Sequence, residues 1–311
     1  MAKGEGFARA LWASLRRPAS NPVVLKELRG RMRGARAFVI LTLQLSAMSA
    51  FAGGVTFLYS LSANQNYNST NLQALGKNIF AGIVFVQLLL ACFITPAFTA
   101  SAISGERERQ TFDIVRTTLL STPALLWGKL LAALAFIGLL MLAALPVQGL
   151  SFLLGGITAA DMAIATLVVL ATAFLFGTAG LFFSAVWRRT LGATVLTYAF
   201  ALISTLGFPL LMWPWSMFGY AIYWPVSLQA LGFYAQQALL SSNPFATAWF
   251  TQTTSESYQT YFYYTTSLYT NSGVAVILPA LSPWLPFVVF ASSVGAGLMW
   301  VSVALVRAAE R

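Results

Sequence analysis

The chain has 311 residues, of which 58% are hydrophobic and 8% charged, and a formal net charge of +10. A soluble domain carries about 25% charged residues, so a water-soluble globular body is excluded. With no histidine and one cysteine, Cys92, there is no intrachain disulfide, and the commonest general base and transition-metal ligand are both missing.

Residues 1–36 read as two amphipathic surface helices. In the first, Phe7, Leu11 and Leu15 recur every four residues, with Arg9, Arg16 and Arg17 on other faces. The second opens at Asn21-Pro22, an N-cap followed by proline at the first helical position. It sets Val24, Leu25, Leu28 and Met32 on one face and Lys26, Glu27, Arg29, Arg31 and Arg33 elsewhere. Such a helix lies in the headgroup plane, either as a plain anchor or as a lever on the span that follows.

At Arg36 the basic cluster stops, and Ala37–Leu61 runs without a charge. A bilayer core about 30 Å thick needs roughly 20 apolar residues per helix. Six runs meet that length: Ala37–Leu61, Asn78–Ser104, Leu130–Gly155, Met162–Trp187, Thr190–Trp213 and Pro283–Val306. The expected fold is an all-α polytopic membrane protein, a single transmembrane domain over residues 1–311. Six transmembrane helices follow the N-terminal amphipathic helices. The apolar run after Arg36 is too long for a signal-peptide core and is expected to persist in the mature protein.

With a cytosolic N-terminus and six crossings, every basic residue except Lys77 falls on the cytosolic side, as the positive-inside bias requires. The expected location is the cell's inner or plasma membrane, multi-pass, with both termini cytoplasmic. Basic residues beside span ends meet anionic headgroups, so nucleic acid is not expected as a partner.

The 105–129 loop is longer than a hairpin needs. Its charges alternate around Phe112 and Val115, which share a face at i, i+3. It reads as a short helix to about Thr118 that suits docking onto a soluble partner, against the plainer reading of a solvated charged loop. Tight turns join spans three to four and four to five. Residues 214–282 carry one charge, Glu256, and many aromatics. Ser216–Leu240 is nearly apolar enough to cross, but Gly219, Pro225, Gly232 and Gln236-Gln237 weaken it. The segment is expected to be an external re-entrant helical pair ending near Asn243-Pro244, with Trp213, Trp215, Tyr220, Tyr223 and Trp224 in an interfacial belt. Thr251–Asn271 is expected to form an exposed polar-aromatic cap. No internal repeat is visible, so any symmetry comes from a second subunit.

The span interiors hold no Asp, Glu, Lys, Arg or His, which disfavours an ion-coupled carrier. A phosphate-binding loop needs G-x-x-x-x-G-K-[ST]. Gly76-Lys77 has Asn71 and Asn78 at the flanking positions, and Gly128-Lys129 has Pro123 and Leu130, so neither qualifies. The chain is not expected to be an enzyme. No catalytic, cofactor-binding or metal site is expected in it, and energy must come from another protein. The neutral polar residues Gln44, Gln87, Thr95, Thr99, Thr194 and Thr197 are candidates for a pathway, against the commoner role of helix–helix glue worth about 0.6 kcal/mol each. Gly177 and Gly180 suit close helix packing.

Gly105-Glu106-Arg107-Glu108-Arg109-Gln110-Thr111-Phe112-Asp113, followed by Thr122-Pro123 and Gly128-Lys129-Leu130, resembles the segment after the second span in ABC-2 type permeases. These are six-span subunits of ATP-binding cassette exporters. Asn21-Pro22-Val23-Val24-Leu25-Lys26-Glu27-Leu28-Arg29 resembles that family's elbow helix. One departure is Gln110, where glycine is usual. The resemblance implies a coupling helix over Glu106–Thr118 seated on a separate ABC ATPase, through Glu106, Arg107, Glu108, Arg109, Thr111, Phe112, Asp113 and Arg116. It implies an elbow centred on Leu25, Lys26, Glu27, Leu28 and Arg29. It also implies a second permease subunit, identical or paralogous, with spans two and five lining the path and the external helices forming an outer gate. ATP and magnesium would be bound by the partner ATPase, and membrane lipids would surround the pair. Two rivals stay open: a permease-like subunit transmitting mechanical work to an envelope protein or lipid, and a passive channel or scaffold.

Overall fold

The computed structural model describes residues 22–32, 35–63, 72–110, 121–219, 226–269 and 275–308. The expected first surface helix and the side chains of the expected interfacial belt lie outside the described residues. After α1 (Pro22–Met32), long helices follow: α2 (Ala35–Ala63), α3 (Leu72–Thr99), α5 (Thr122–Leu153), α6 (Ala159–Val186), α7 (Thr190–Gly219) and α10 (Trp284–Ala308). Each contains a stretch long and apolar enough to cross a membrane, and the described residues hold six such helices. The chain is a multi-pass helical membrane protein.

Several helices outrun the apolar runs that define them. The apolar segment of α3 continues through a turn at 101–103 into the short α4 (Ser104–Glu108), a stretch of 37 residues from Leu72 to Glu108. At 1.5 Å per residue this is about 55 Å, well beyond a hydrocarbon core of about 30 Å. Its charged end at Glu106–Glu108 therefore stands outside the core. Likewise α5 starts at Thr122, so Lys129 sits inside a helix rather than in the loop expected over 105–129.

Local sequence sets the helix starts. Pro123 occupies the first turn of α5, where a missing N–H costs nothing. Thr158 and Asp161 form a reciprocal capping box on α6. Asn243 caps the helix after the re-entrant turn by accepting from the N–H groups of Phe245 and Ala246.

α6 is the central post. It packs against α3, α5, α7 and α10, around the fully buried Phe136, Phe176 and Phe287. Where α6 meets α3, Gly180 lets the chains close: a Cβ there would lie 2.0 Å from Thr99 Oγ1 and 3.1 Å from the Ala100 nitrogen. Gly177 is similarly confined by Leu130 Cδ1 and Thr95 Cγ2. α2 and α7 are the least covered spans.

The alternating helices define two ends. One holds the starts of α2, α5 and α7, the finishes of α3, α6 and α10, and the Arg–Lys clusters, and is called here the basic end. At the opposite end α8 (Val226–Leu240) and α9 (Pro244–Tyr258) have 15 residues each. At about 22 Å each is too short to cross a hydrocarbon core by itself. The cap differs from expectation. α9 takes up Thr251 to Tyr258, Gln259 ends it in the left-handed region (φ 53°), and a two-stranded antiparallel hairpin follows. β1 (Tyr263–Tyr269) pairs with β2 (Ala275–Leu281), with Tyr263 opposite Leu281 and Thr266 opposite Leu278. β1 is rich in aromatic and β-branched residues, which favour strand. Pro279 is tolerated because a two-stranded ribbon has only edge strands. The hairpin is tied down by Tyr234 Oη donating to the Pro279 carbonyl (3.0 Å), Gln237 Nε2 to that of Leu281 (2.7 Å) and Trp284 Nε1 to that of Tyr261 (2.6 Å).

Candidate functional site: the basic end of the bundle

Lys129 is the centre of this end. Its side chain is 4% exposed, and an unpaired ammonium there would carry a desolvation penalty of several kcal/mol. It is paired. Nζ donates to Glu106 Oε1 at 2.6 Å and to the Ala102 carbonyl at 2.9 Å, and lies 3.6 Å from Glu27 Oε1. Three separate stretches of sequence therefore meet on one ammonium: the elbow helix α1 through Glu27, the segment after α3 through Glu106, and α5 through Lys129 itself. Each acid keeps part of its side chain in solvent, 29% for Glu27 and 24% for Glu106.

The next two residues reach other spans. Arg107 Nη1 donates to the Ala185 carbonyl at 3.0 Å, close to the end of α6. Burial first, and the Arg188 guanidinium second, lower the Arg107 pKa from its ordinary value. Glu108 accepts from the Thr190 N–H and hydroxyl, both at 2.8 Å, at the first residue of α7. A carboxylate at a helix N-terminus satisfies orphan N–H donors and meets the positive end of the helix dipole. Those bonds, the backbone one first, hold Glu108 below the usual carboxylate range, with Arg189 adding to the effect. Ser184 Oγ accepts from the Ile103 and Ser104 N–H groups at 2.9 and 3.0 Å, fixing the turn between α3 and α4.

Of the helix expected over Glu106–Thr118, the described part is α4, which runs from Ser104 to Glu108. Arg109 and Gln110 form a turn in which Gln110 has φ 56°. That left-handed backbone is the region glycine enters without steric cost, which gives a physical reason for the glycine usual at this position in the resembled family. Thr111, Phe112, Asp113 and Arg116 lie outside the described residues. Of the expected coupling residues, Glu106, Arg107 and Glu108 turn inward onto their own chain, and Arg109 is exposed. In the elbow, Leu25, Lys26 and Arg29 are exposed while Glu27 and Leu28 are half-buried.

The six candidate pathway residues are not brought together. Gln44, Gln87, Thr95, Thr99 and Thr197 are buried inside the protomer. Gln44 Nε2 donates to the Leu140 carbonyl (2.8 Å) and Gln148 Nε2 to Gln87 Oε1 (3.1 Å). Thr99, Thr194 and Thr197 donate back to the carbonyls four residues earlier. The two glutamine bonds join neighbouring helices, α2 to α5 and α5 to α3, while the threonine bonds stay within their own helices. The feature that sequence reasoning missed is the Lys129 junction. Its only local signal is a lysine at the start of an apolar run, because the two acids lie 102 and 23 positions away.

With the geometry in view, the chain's kinship is plain. Residues 22–293 match the model of the ABC-2 family transporter proteins, so the chain belongs to that family and is a permease component, the membrane part of an ABC transporter rather than its ATPase. The match runs from the first residue of the elbow helix well into α10. No curated protein matches the chain.

Proposed function

We propose that this chain is the permease subunit of an ABC exporter, driven by a separate ATPase docked on the basic end, with that end and both termini in the cytosol of a cell with this protein in its inner or plasma membrane. The observation that carries the proposal is the convergence of elbow, post-α3 segment and α5 on Lys129. A push on residues 106–108 reaches α1 through Glu27, α5 through Lys129, α6 through Arg107 and α7 through Glu108. Elements joined by short, partly buried polar contacts move as one body, which is what a force-transmitting surface requires. Arg109, Thr111, Phe112, Asp113 and Arg116 supply the contact with the ATPase, which holds ATP and magnesium.

The partner permease covers α3 and α7. Phe85, Phe93, Leu202 and Leu206 are exposed there, beside a cavity of about 410 Å³ that Tyr198 and Phe250 also line. The path between the two copies is then apolar and aromatic, which favours amphipathic cargo over inorganic ions. The buried glutamines hold each wall together.

Photo-crosslinkers placed at Arg109 and at Gln252, on opposite ends, test the docking. An adduct with a nucleotide-binding polypeptide at position 109 and none at 252 is expected. Adducts at both, or at 252 alone, contradict the proposal.

A further inference from the structure

At the end opposite the basic one, α2, α3, α6 and α9 enclose a cavity of about 760 Å³, within the size range of sites that bury a small amphiphile. Its floor is apolar, built from Val55, Phe80, Val84, Leu88, Ile164 and Val168. Its rim is charged. Only three residues in the segments at this end carry a charge, Lys77, Asp161 and Glu256, and all three line this cavity. Lys77 Nζ lies 3.5 Å from Glu256 Oε1, with side chains 34% and 37% exposed. Asp161 is held close by, accepting from Ser255 Oγ at 3.4 Å.

Between rim and floor sits Thr251. It is 7% exposed, and its hydroxyl has no hydrogen-bond partner. Neighbouring hydroxyls on α9 are satisfied, Thr254 by the Phe250 carbonyl at 2.6 Å and Thr253 by the same oxygen at 3.0 Å. That oxygen is closed off from the open space of the cavity, so the polar contacts the cavity offers are those of its rim. The walls also reach the surface through apolar groups of α2, since Phe51 and Leu58 line the cavity and are exposed.

We propose that this cavity is a binding site for one zwitterionic phospholipid taken from the surrounding leaflet. The phosphate pairs with Lys77, the ammonium with Glu256 and Asp161, and the acyl chains fill the floor. The rim ion pair is half-exposed and solvent-screened, so the incoming head opens it at little cost. A rim with one cation and two carboxylates selects a head carrying both signs over an anionic head, which would face the two carboxylates with only one partner. The site borders the α3–α7 cavity, sharing Phe85, Phe245 and Trp249 with it, but its charged rim belongs to this cavity alone and depends neither on the ATPase nor on the direction of transport.

The test uses the full chain solubilised from its membrane. It is exchanged against an equal mixture of phosphatidylethanolamine and phosphatidylglycerol with identical chains, and the retained lipid is counted by mass spectrometry. One phosphatidylethanolamine per chain is expected. Lys77→Gln with Glu256→Gln lowers its retention roughly tenfold, the effect of losing two exposed charge pairs. Ala248→Phe, which puts a ring into the cavity where the acyl chains would lie and leaves the rim side chains in place, lowers it as well. Glycerophosphoethanolamine, the same head without chains, does not displace the lipid. Equal retention of the two lipids, retention unchanged in the rim variant, or displacement by the chainless head overturns the proposal. Melting temperature measured on each variant separates lost binding from lost fold, and the rim variant, altered only at half-exposed side chains, carries the test if Ala248→Phe unfolds.

Discussion

Replacing Lys129 by methionine should be among the most damaging single changes at the basic end. The substitution keeps the aliphatic stem and removes the ammonium that Glu106, Glu27 and the Ala102 carbonyl share. Breaking a buried pair by deleting one partner costs about 3–5 kcal/mol, because the remaining charge is left uncompensated. Both carboxylates keep about a quarter of their surface in water (24% and 29%), so screening reduces the expected loss to about 2–3 kcal/mol. The assay is denaturant unfolding of the solubilised chain. Glu106→Gln in the Lys129→Met background should restore about 1 kcal/mol by neutralising the charge left behind. If Lys129→Met stays within about 0.5 kcal/mol of the parent, or the two changes add independently, the junction is not an energetic unit.

Three further outcomes follow from the same contacts. Glu108→Gln should lower the melting temperature at neutral pH. Because the folded carboxylate has the lower pKa, its contribution is fully present above the ordinary value of about 4.3 and is lost as pH falls through the folded one. The gap between parent and variant should therefore close below about pH 4, and a gap that widens in acid would refute the capping role. Gly180→Ala drives a methyl against Thr99 and Ala100 and should cost about 1–3 kcal/mol by overpacking, read in the same unfolding assay. Gln110→Gly removes the cost of a side chain at φ 56° and should stabilise the chain by roughly 1 kcal/mol; destabilisation would mean the side chain makes a compensating contact.

Much of the fold was legible because a bilayer imposes a coarse rule. Each span must be about 20 apolar residues long, and all six expected runs lie within α2, α3 with the turn and α4 start that follow it, α5, α6, α7 and α10, give or take a residue or two at their ends. Gly177 and Gly180 were legible as close-packing positions for the same reason. The hairpin was not. Its signal, an aromatic and β-branched stretch before Asn271-Ser272-Gly273 and an apolar Ala275–Leu278 after it, is a period-two pattern, easily masked in a region scanned for membrane-length helices. The turn at Arg109–Gln110 was also hidden, since the segment has helical charge spacing and only Gln110, standing where glycine is usual, hints at it. The Lys129 junction was invisible in principle. Glu27, Glu106 and Lys129 belong to three segments that meet only when α1 and α4 fold onto α5.

The account rests on power supplied from outside the chain at its basic end. The most direct measurement is to purify the tagged chain from its native membrane and illuminate it with a photoreactive ATP analogue. The account predicts a separate labelled polypeptide that co-purifies with the chain and is lost when Arg109→Glu reverses the exposed charge. A folded, membrane-extracted chain that brings down no labelled partner, or that takes the label itself, would contradict it.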